Sequence, residues 1–342
     1  MSNHSSARET LVARYDTHGD PAAVLRPVTE PLPVPGAGEA LVALECAVIH
    51  PSDFGIVAGT YGRSRPAPAV AGREGVGRVE SVDPGCPDLK IGDRVRMPAD
   101  AGVWRERGVF PVAALRRLPD DLTPEQAAQS AVNPTAAIRM LADFVSLHPG
   151  DIVIQNAGNS FVGRAVAFLG KRRGLRVVSL VRDPARHTAE LAALGAEAVL
   201  ADDDEAPKRI RALKGASAVR LALNSVGGAS VARLIKACDP GATVVTFGGM
   251  TGEPVRFPTR ELIFSDLALR GFWIDRWLRE ASPEAVARLH DEVRDLWHAG
   301  FPAGVEAVYP IAAIVEAVRH AAAPGRSGKI LLRGPAWAER RQ

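Results

Sequence analysis

Along roughly the first 120 residues, apolar positions come in short runs such as EALVALECAVI (39–49) and EGVGRVESVD (74–83), broken repeatedly by Pro and Gly. Runs of that length between turn formers predict strands. A twisted, strand-dominated unit with few helices is therefore expected. At Thr123 the pattern changes. Thr123-Pro124-Glu125-Gln126 offers an N-cap hydroxyl, a proline at the first helical position and a glutamine three residues after the cap, which predicts a helix start with a domain boundary close by.

From Asp151 onward the period alternates between strand and helix. DIVIQN leads into a segment where Val162, Ala165, Val166 and Leu169 share one helical face. RVVSLV, the helix HTAELAAL ending at Gly195, and AEAVL follow. VRLALN, a helix near ASVARLIKAC, ATVVTFGG and DLALRGFW continue the rhythm. About six strands joined by helices predict an α/β fold with a parallel, doubly wound sheet. No solenoid-type repeat is present. The acidic run DDDE at 202–205 reads as a solvated loop.

Bulk properties narrow the class. At 342 residues the chain is long enough for about two domains. With 46% hydrophobic and 24% charged residues it is neither disordered nor a disulfide scaffold. Forty-two Lys and Arg interleave with 39 Asp and Glu, a net charge of +3 too small and dispersed for a nucleic-acid binder. Cys46, Cys86 and Cys238 stand far apart without zinc-ligand spacing, which predicts reduced thiols in a cytoplasmic protein. The N-terminus lacks the apolar core of a signal peptide, and no apolar run reaches membrane-spanning length.

Candidate chemistry starts in QNAGNSFVGRAV. Gly158, Ser160 and Gly163 occupy the positions of G-x-G-x-x-G, with serine in the middle. Alone the motif is weak, and a tight turn packing helix on strand would also use it. Between a predicted strand and a predicted helix it gains weight, because free N–H groups and the helix dipole there can hold a pyrophosphate. The Ser160 hydroxyl can bond a phosphate; the bulk of Phe161 has no evident reason. About 20 residues on, NAD enzymes place an acid for the ribose 2′-hydroxyl. Here the strand ends Val181-Arg182-Asp183. Arg182, helped by Arg186, can pair with a 2′-phosphate, favouring NADPH over NADH, while Asp183 keeps the alternative open.

A second segment, HPSDFGIVAGTYGRSRPAPAVAGREGVGRV (50–79), has the frame of a zinc alcohol dehydrogenase site without its ligands. His50-Pro51-Ser52-Asp53 and Gly72-Arg73-Glu74 stand where such enzymes carry Cys and Gly-His-Glu. A catalytic zinc needs three protein ligands, and a cation at position 73 would repel it, so no metal is expected. Tyr61, one of three tyrosines, lies in the flexible run Gly59-Thr60-Tyr61-Gly62. Its phenol could donate a proton or polarise a carbonyl; taken by itself, a loop tyrosine is more often surface or packing. Arg63, Arg65 and Arg73 could attract a phosphate or an acidic surface, or could simply be solvated charge.

Together, NPTAAIRMLADF (133–144), PGDIVIQNAGNSFVG (149–163), LALNSVGG (221–228), VTFGGMTGEPV (245–255) and LIFSDLALRGFW (262–273) resemble the 2-enoyl thioester reductases, the zinc-free branch of the medium-chain dehydrogenase/reductases known from mitochondrial fatty-acid synthesis. The likeness runs nearly end to end. It implies hydride transfer from NADPH to C3 of a trans-2-enoyl thioester, carried by CoA or an acyl-carrier protein, and protonation at C2 by Tyr61. It also implies cofactor contacts at Asn133; at Gly158, Asn159, Ser160, Phe161, Val162 and Gly163; at Arg182 and Asp183; at Phe247, Gly248, Gly249 and Met250; at Phe272, Trp273 and Ile274; and at Lys329, which could instead be a surface lysine. Trp273 and Trp277 could line an acyl pocket or be plain core. Two positions depart from the family: His50, where Asn is commoner, and Phe161, where Gly is commoner. The latter could move the phosphates or narrow an acyl channel.

The implied architecture is a GroES-like β-rich catalytic domain from both chain ends (1–132 and 272–342) with a Rossmann domain (133–271) inserted and the active site in the cleft between them. A homodimer joined through DLALRGFW as an edge strand is also implied. The alternatives are a quinone or small-enone reductase on the same fold and a non-catalytic NADPH sensor.

Overall fold

The computed structural model describes residues 8–62, 65–255 and 257–337. The chain divides into two compact units, Met1–Ala131 with Pro302–Gln342, and Val132–Phe301. Among the described residues no helix is long and apolar enough to cross a membrane.

The first unit is built on the strand Glu39–Val48, buried at every position after its first. Its neighbours are Gly75–Val82, Arg107–Pro111 and Lys329–Arg333, all antiparallel to it. The last of these comes from the far end of the sequence, so the chain closes its own first unit. Val305–Pro310 extends that side of the sheet, and Arg94–Arg96 with Arg116–Arg117 extend the other. A smaller sheet, Arg26–Pro31, Glu9–Tyr15 and Ala69–Val70, completes the unit. The core centres on fully buried Trp104, Tyr15 and Leu44, with Phe110 at 2% exposure. Thr123 opens its helix as the sequence predicts: Oγ1 accepts the Gln126 N–H at 3.3 Å while Gln126 Oε1 accepts the Thr123 N–H at 3.0 Å.

In the second unit six strands form one sheet, ordered Ala196–Ala201, Arg176–Val181, Ile152–Gln155, Val219–Asn224, Thr243–Thr246 and Ala268–Gly271. Every pairing is parallel. In chain order this is 3-2-1-4-5-6, the doubly wound dinucleotide-binding arrangement with its switch point between strands 1 and 4. Val162, Ala165, Val166 and Leu169 are buried along the helix Phe161–Arg172, the face their spacing predicts.

Two expectations change. Residues 272–301 belong to the second unit, so the return to the first falls at Pro302 and not at 272. The helix Pro283–His298 buries Leu289, Val293, Leu296 and Trp297 and packs on the helix Asn133–Met140, while the Phe272 ring meets Phe144 edge-on at 5.8 Å. An amphipathic helix carries no mark of which unit its apolar face will join. The DDDE run is not solvated throughout either. Asp202 accepts the Ser230 hydroxyl at 2.5 Å and an Arg233 N–H at 3.1 Å, leaving its side chain 10% exposed.

Gly72 has φ +89° and lies against the Trp104 ring, where any Cβ would overlap it. Gly72→Ala combines left-handed strain with overpacking and is expected to lower the unfolding free energy by about 3 kcal/mol, read as a lower urea midpoint at unchanged m-value.

Candidate active site

The segment that lacks metal ligands folds into a buried network in the first unit. His50 ends a strand-like stretch and Pro51 starts the helix Pro51–Ala58, with Asp53 Oδ2 accepting the His50 N–H at 2.8 Å. His50, Asp53 and Glu74 are all about 2% exposed or less. Lys329 Nζ lies 3.3 Å from His50 Nδ1. An ammonium can only donate, so Nδ1 accepts and Nε2 carries the hydrogen, which it gives to Glu74 Oε2. The second Glu74 oxygen accepts the Ala131 N–H. Both ring nitrogens are thus engaged. Among the described residues no three His, Cys, Asp or Glu side chains gather as a ligand set.

The electrostatics follow from burial. Burial and the Lys329 charge push His50 down to about 4, against the pull of Glu74, so the ring is neutral at ordinary pH. Burial likewise lowers Lys329 to about 8, opposed by Glu74. For Glu74 burial acts upward, yet the His50 ring and the Ala131 N–H outweigh it and hold the carboxyl below its usual range.

Tyr61 is set by two glycines. Gly59 caps the helix in the left-handed region at φ 74°. Gly55 then lets the chain fold back: its carbonyl accepts the Tyr61 N–H at 3.0 Å, and a Cβ on it would stand 3.3 Å from the Tyr61 Cβ. The half-buried phenol meets Arg73. Arg73 Nη1 donates to Tyr61 Oη at 3.1 Å and to Ser52 Oγ at 3.3 Å, with the guanidinium 5.7 Å from the ring centroid. Arg73 is only 6% exposed. It is not solvated charge, and sequence reasoning missed that it touches the candidate acid. The missed signal was its place in the ligand frame itself. Arg65 is spent on the Val70 and Ala99 carbonyls; Arg63 lies outside the described residues.

The candidate nucleotide cradle lies in the second unit, at the carboxyl ends of its strands. A Cβ on Gly158 would come within 2.5 Å of Ser179 Cβ, and one on Gly163 within 2.5 Å of the Gly158 carbonyl, so both glycines permit close backbone approach. Ser160 is the N-cap of Phe161–Arg172, its Oγ accepting the Gly163 N–H at 3.1 Å. Its own O–H remains able to donate, and the first-turn N–H groups of Phe161 and Val162 have no acceptor inside the helix. With Asn159 beside them, these groups fit an anionic pyrophosphate. Arg182 and Arg186 are exposed just past the next strand. Asp183 Oδ1 instead accepts the Arg186 N–H at 3.3 Å as a helix cap, so local structure already employs that carboxylate.

Phe161 departs from expectation. Its ring is 8% exposed and packs edge-on against Trp297 at 6.1 Å and Phe301 at 5.4 Å. Its ring anchors the helix start in the core, leaving only its backbone N–H to face a cofactor if one binds there. At the switch point sequence reasoning missed a second buried network. Asn156 Nδ2 donates to Asn224 Oδ1 at 2.7 Å and to Ser230 Oγ at 2.9 Å, and Asn156 Oδ1 accepts the Ser225 N–H at 2.8 Å. It ties strands 1 and 4 together where they open. Phe247, Gly248, Gly249 and Met250 follow the next strand end, with the Phe247 N–H bonded to the Asn224 carbonyl at 3.0 Å and Met250 66% exposed. Phe272 and Trp273 are half-buried and Ile274 buried. Arg279 covers Trp273 at 4.9 Å and Arg139 covers Trp277 at 4.7 Å. Asn133 begins the first helix of this unit. Lys329, in the first unit, serves the His50 network described above.

A doubly wound sheet with a glycine cradle, in one chain with a β-rich unit closed by the C-terminus, defines a medium-chain dehydrogenase/reductase. Residues 36–108 match the alcohol dehydrogenase GroES-like domain and residues 162–326 the zinc-binding dehydrogenase family. The chain is 42% identical over 281 residues to the mitochondrial enoyl-[acyl-carrier-protein] reductase of Rattus norvegicus, covering 80% of this chain and 75% of that one. It superimposes on the Etr1p/NADP/crotonyl-CoA complex with TM-score 0.87 at 26% identity, covering 95% and 100% of the two chains. The mitochondrial 2-enoyl thioester reductase Etr1p/Etr2p heterodimer from Candida tropicalis matches with TM-score 0.86 at 26% identity over the same shares. The chain belongs to the enoyl-acyl-carrier-protein reductase family, in the zinc-free branch of the medium-chain dehydrogenase/reductases.

One expectation is overturned by these relatives: they are named as mitochondrial enzymes, which contradicts the cytoplasmic assignment. Scattered reduced thiols do not distinguish one reducing compartment from another.

Asp53 supplies a pH test. Burial raises its carboxyl from 3.8 to about 7, opposed by the His50 N–H and Arg73. A raised carboxyl adds stability that is complete below the unfolded value and lost as pH climbs through the folded one. In Asp53→Asn the amide oxygen can still accept the His50 N–H and nothing titrates. Stability relative to wild type should therefore shift toward the variant between about pH 5 and about pH 8, by at most about 3 kcal/mol. Urea denaturation at both pH values reads the shift; a pH-independent difference would refute it.

Proposed function

We propose that the chain reduces the C2=C3 double bond of trans-2-enoyl thioesters with NADPH, and that Tyr61 is its proton donor. The observation that carries the reading is the Arg73-held phenol, 3.1 Å from the guanidinium, in a family of enoyl reductases. NADPH, when bound, supplies the hydride that goes to C3. This chain's residues do the rest. Addition at C3 leaves an enolate, and Tyr61 gives its proton to C2. The guanidinium at its oxygen stabilises the charge left behind.

In this reading Asn159, Ser160 and Val162 hold the pyrophosphate, the latter through its backbone N–H at the helix start. Arg182, with Arg186, takes the 2′-phosphate. Asn133, the run Phe247–Met250, and Phe272 to Ile274 border the nicotinamide, while Trp273 and Trp277 line the acyl path. The thioester is carried by CoA or by an acyl-carrier protein. A quinone or small-enone reductase would need the hydride donor but no placed phenol.

Tyr61→Phe should lower kcat on crotonyl-CoA by about a hundredfold or more while NADPH binding, followed by fluorescence, stays unchanged. Turnover of the variant at the wild-type rate, or a wild-type enzyme that reduces quinones and ignores crotonyl-CoA, would refute the assignment.

The same reading includes a homodimer through the second unit. Its edge strand Ala268–Gly271 is exposed at all four positions. Nearby in sequence, Ile263 and Phe264 are 65% and 75% exposed, apolar surface of the kind a partner covers. Phe264→Glu should convert dimers to monomers in sedimentation velocity; a wild-type monomer, or a variant that remains dimeric, would count against this interface.

A further inference from the structure

The frame that holds a metal ligand in zinc enzymes holds Arg73 here, and Arg73 touches the candidate proton donor. We infer that Arg73 is a positioning residue for Tyr61, fixing the direction of its O–H and opposing the negative charge that proton donation leaves on the phenol oxygen. The inference rests on the reading of Tyr61 as the donor.

The geometry supports both halves. Arg73 has donors and no acceptor, so its N–H at 3.1 Å occupies a lone pair of Oη and the phenol hydrogen must point elsewhere. The same Nη1 also reaches Ser52 Oγ at 3.3 Å, which tethers the guanidinium to the helix start that positions the Tyr61 loop. Gly72, pressed on the Trp104 ring at φ +89°, fixes the backbone just before it. At 6% exposure the cation is little screened by solvent, where its effect on a neighbouring charge is larger than at the surface. In the step itself the Tyr61 O–H bond breaks, a C–H bond forms at C2 of the enolate, and the electron pair of the broken bond stays on the phenol oxygen. The hydride carrier has by then been oxidised, and water later returns a proton to Oη.

The test is a double-mutant cycle on the full-length protein with crotonyl-CoA and NADPH. Arg73→Met keeps length and removes charge; Arg73→Lys keeps charge and loses the planar fork. Circular dichroism and NADPH fluorescence check folding and cofactor binding independently of turnover. Expected are a fall in kcat of about a hundredfold for R73M with KM within about threefold, an intermediate kcat for R73K, and a larger solvent deuterium isotope effect on kcat as proton delivery becomes limiting. In the Y61F background R73M should cost nothing further, since two residues acting as one unit are not additive. If R73M fails to fold, R73K and R73Q enter the same cycle. A wild-type rate in R73M, an unchanged isotope effect, or a full additive loss in the double variant would overturn the inference. Y61F measured alone separates this from failure of the donor assignment: if that single change leaves the rate intact, both readings fall.

Discussion

A part-buried hydrogen bond, Arg73 to the Tyr61 phenol oxygen at 3.1 Å, is the contact on which the proposed chemistry of the first unit depends. Enclosing a guanidinium at 6% exposure is costly unless polar groups receive its N–H bonds. Ser52 and Tyr61 do so, with the phenol ring adding cation–π attraction at 5.7 Å. The requirement is reciprocal. A cation that must be satisfied holds the phenol in place, and the phenol it holds is the group the proposed reaction needs.

The charges around that bond are arranged around neutral and paired groups. His50 sits between Lys329 and Glu74 and accepts from one while donating to the other. Its tautomer is fixed by the ammonium, which cannot accept. Lowering of His50 to about 4 means the ring behaves as a neutral hydrogen-bonding strut through the working pH range. Position 50 thus carries a neutral donor–acceptor residue and adds no charge to the network.

The second unit uses close packing and backbone polarity. Gly158 and Gly163 allow a strand, a turn and a helix to approach within a Cβ's distance, and Ser160 caps the helix whose first N–H groups have no acceptor within it. The Asn156–Asn224–Ser230 network does a related job at the switch point, where strand ends would otherwise splay. Phe161, buried against Trp297 and Phe301, pins the cradle's helix from behind.

The doubly wound sheet, the capped helix at Thr123 and the tight glycine turn at Gly158 and Gly163 were legible in the sequence, because each depends on local periodicity or on a few neighbouring residues. The shift of the second boundary to Pro302 was not, since an amphipathic helix reveals which face is apolar and not what will cover it. Asp202, Asp183 and Phe161 show the same limit: acid and aromatic were visible, but the Ser230 hydroxyl, the helix cap and the Trp297 ring that employ them were not. Arg73 is the clearest case. Its charge argued against a metal, yet its contact with Tyr61 joins residues 12 apart through a loop and a strand end. Only the folded backbone brings them within hydrogen-bonding distance.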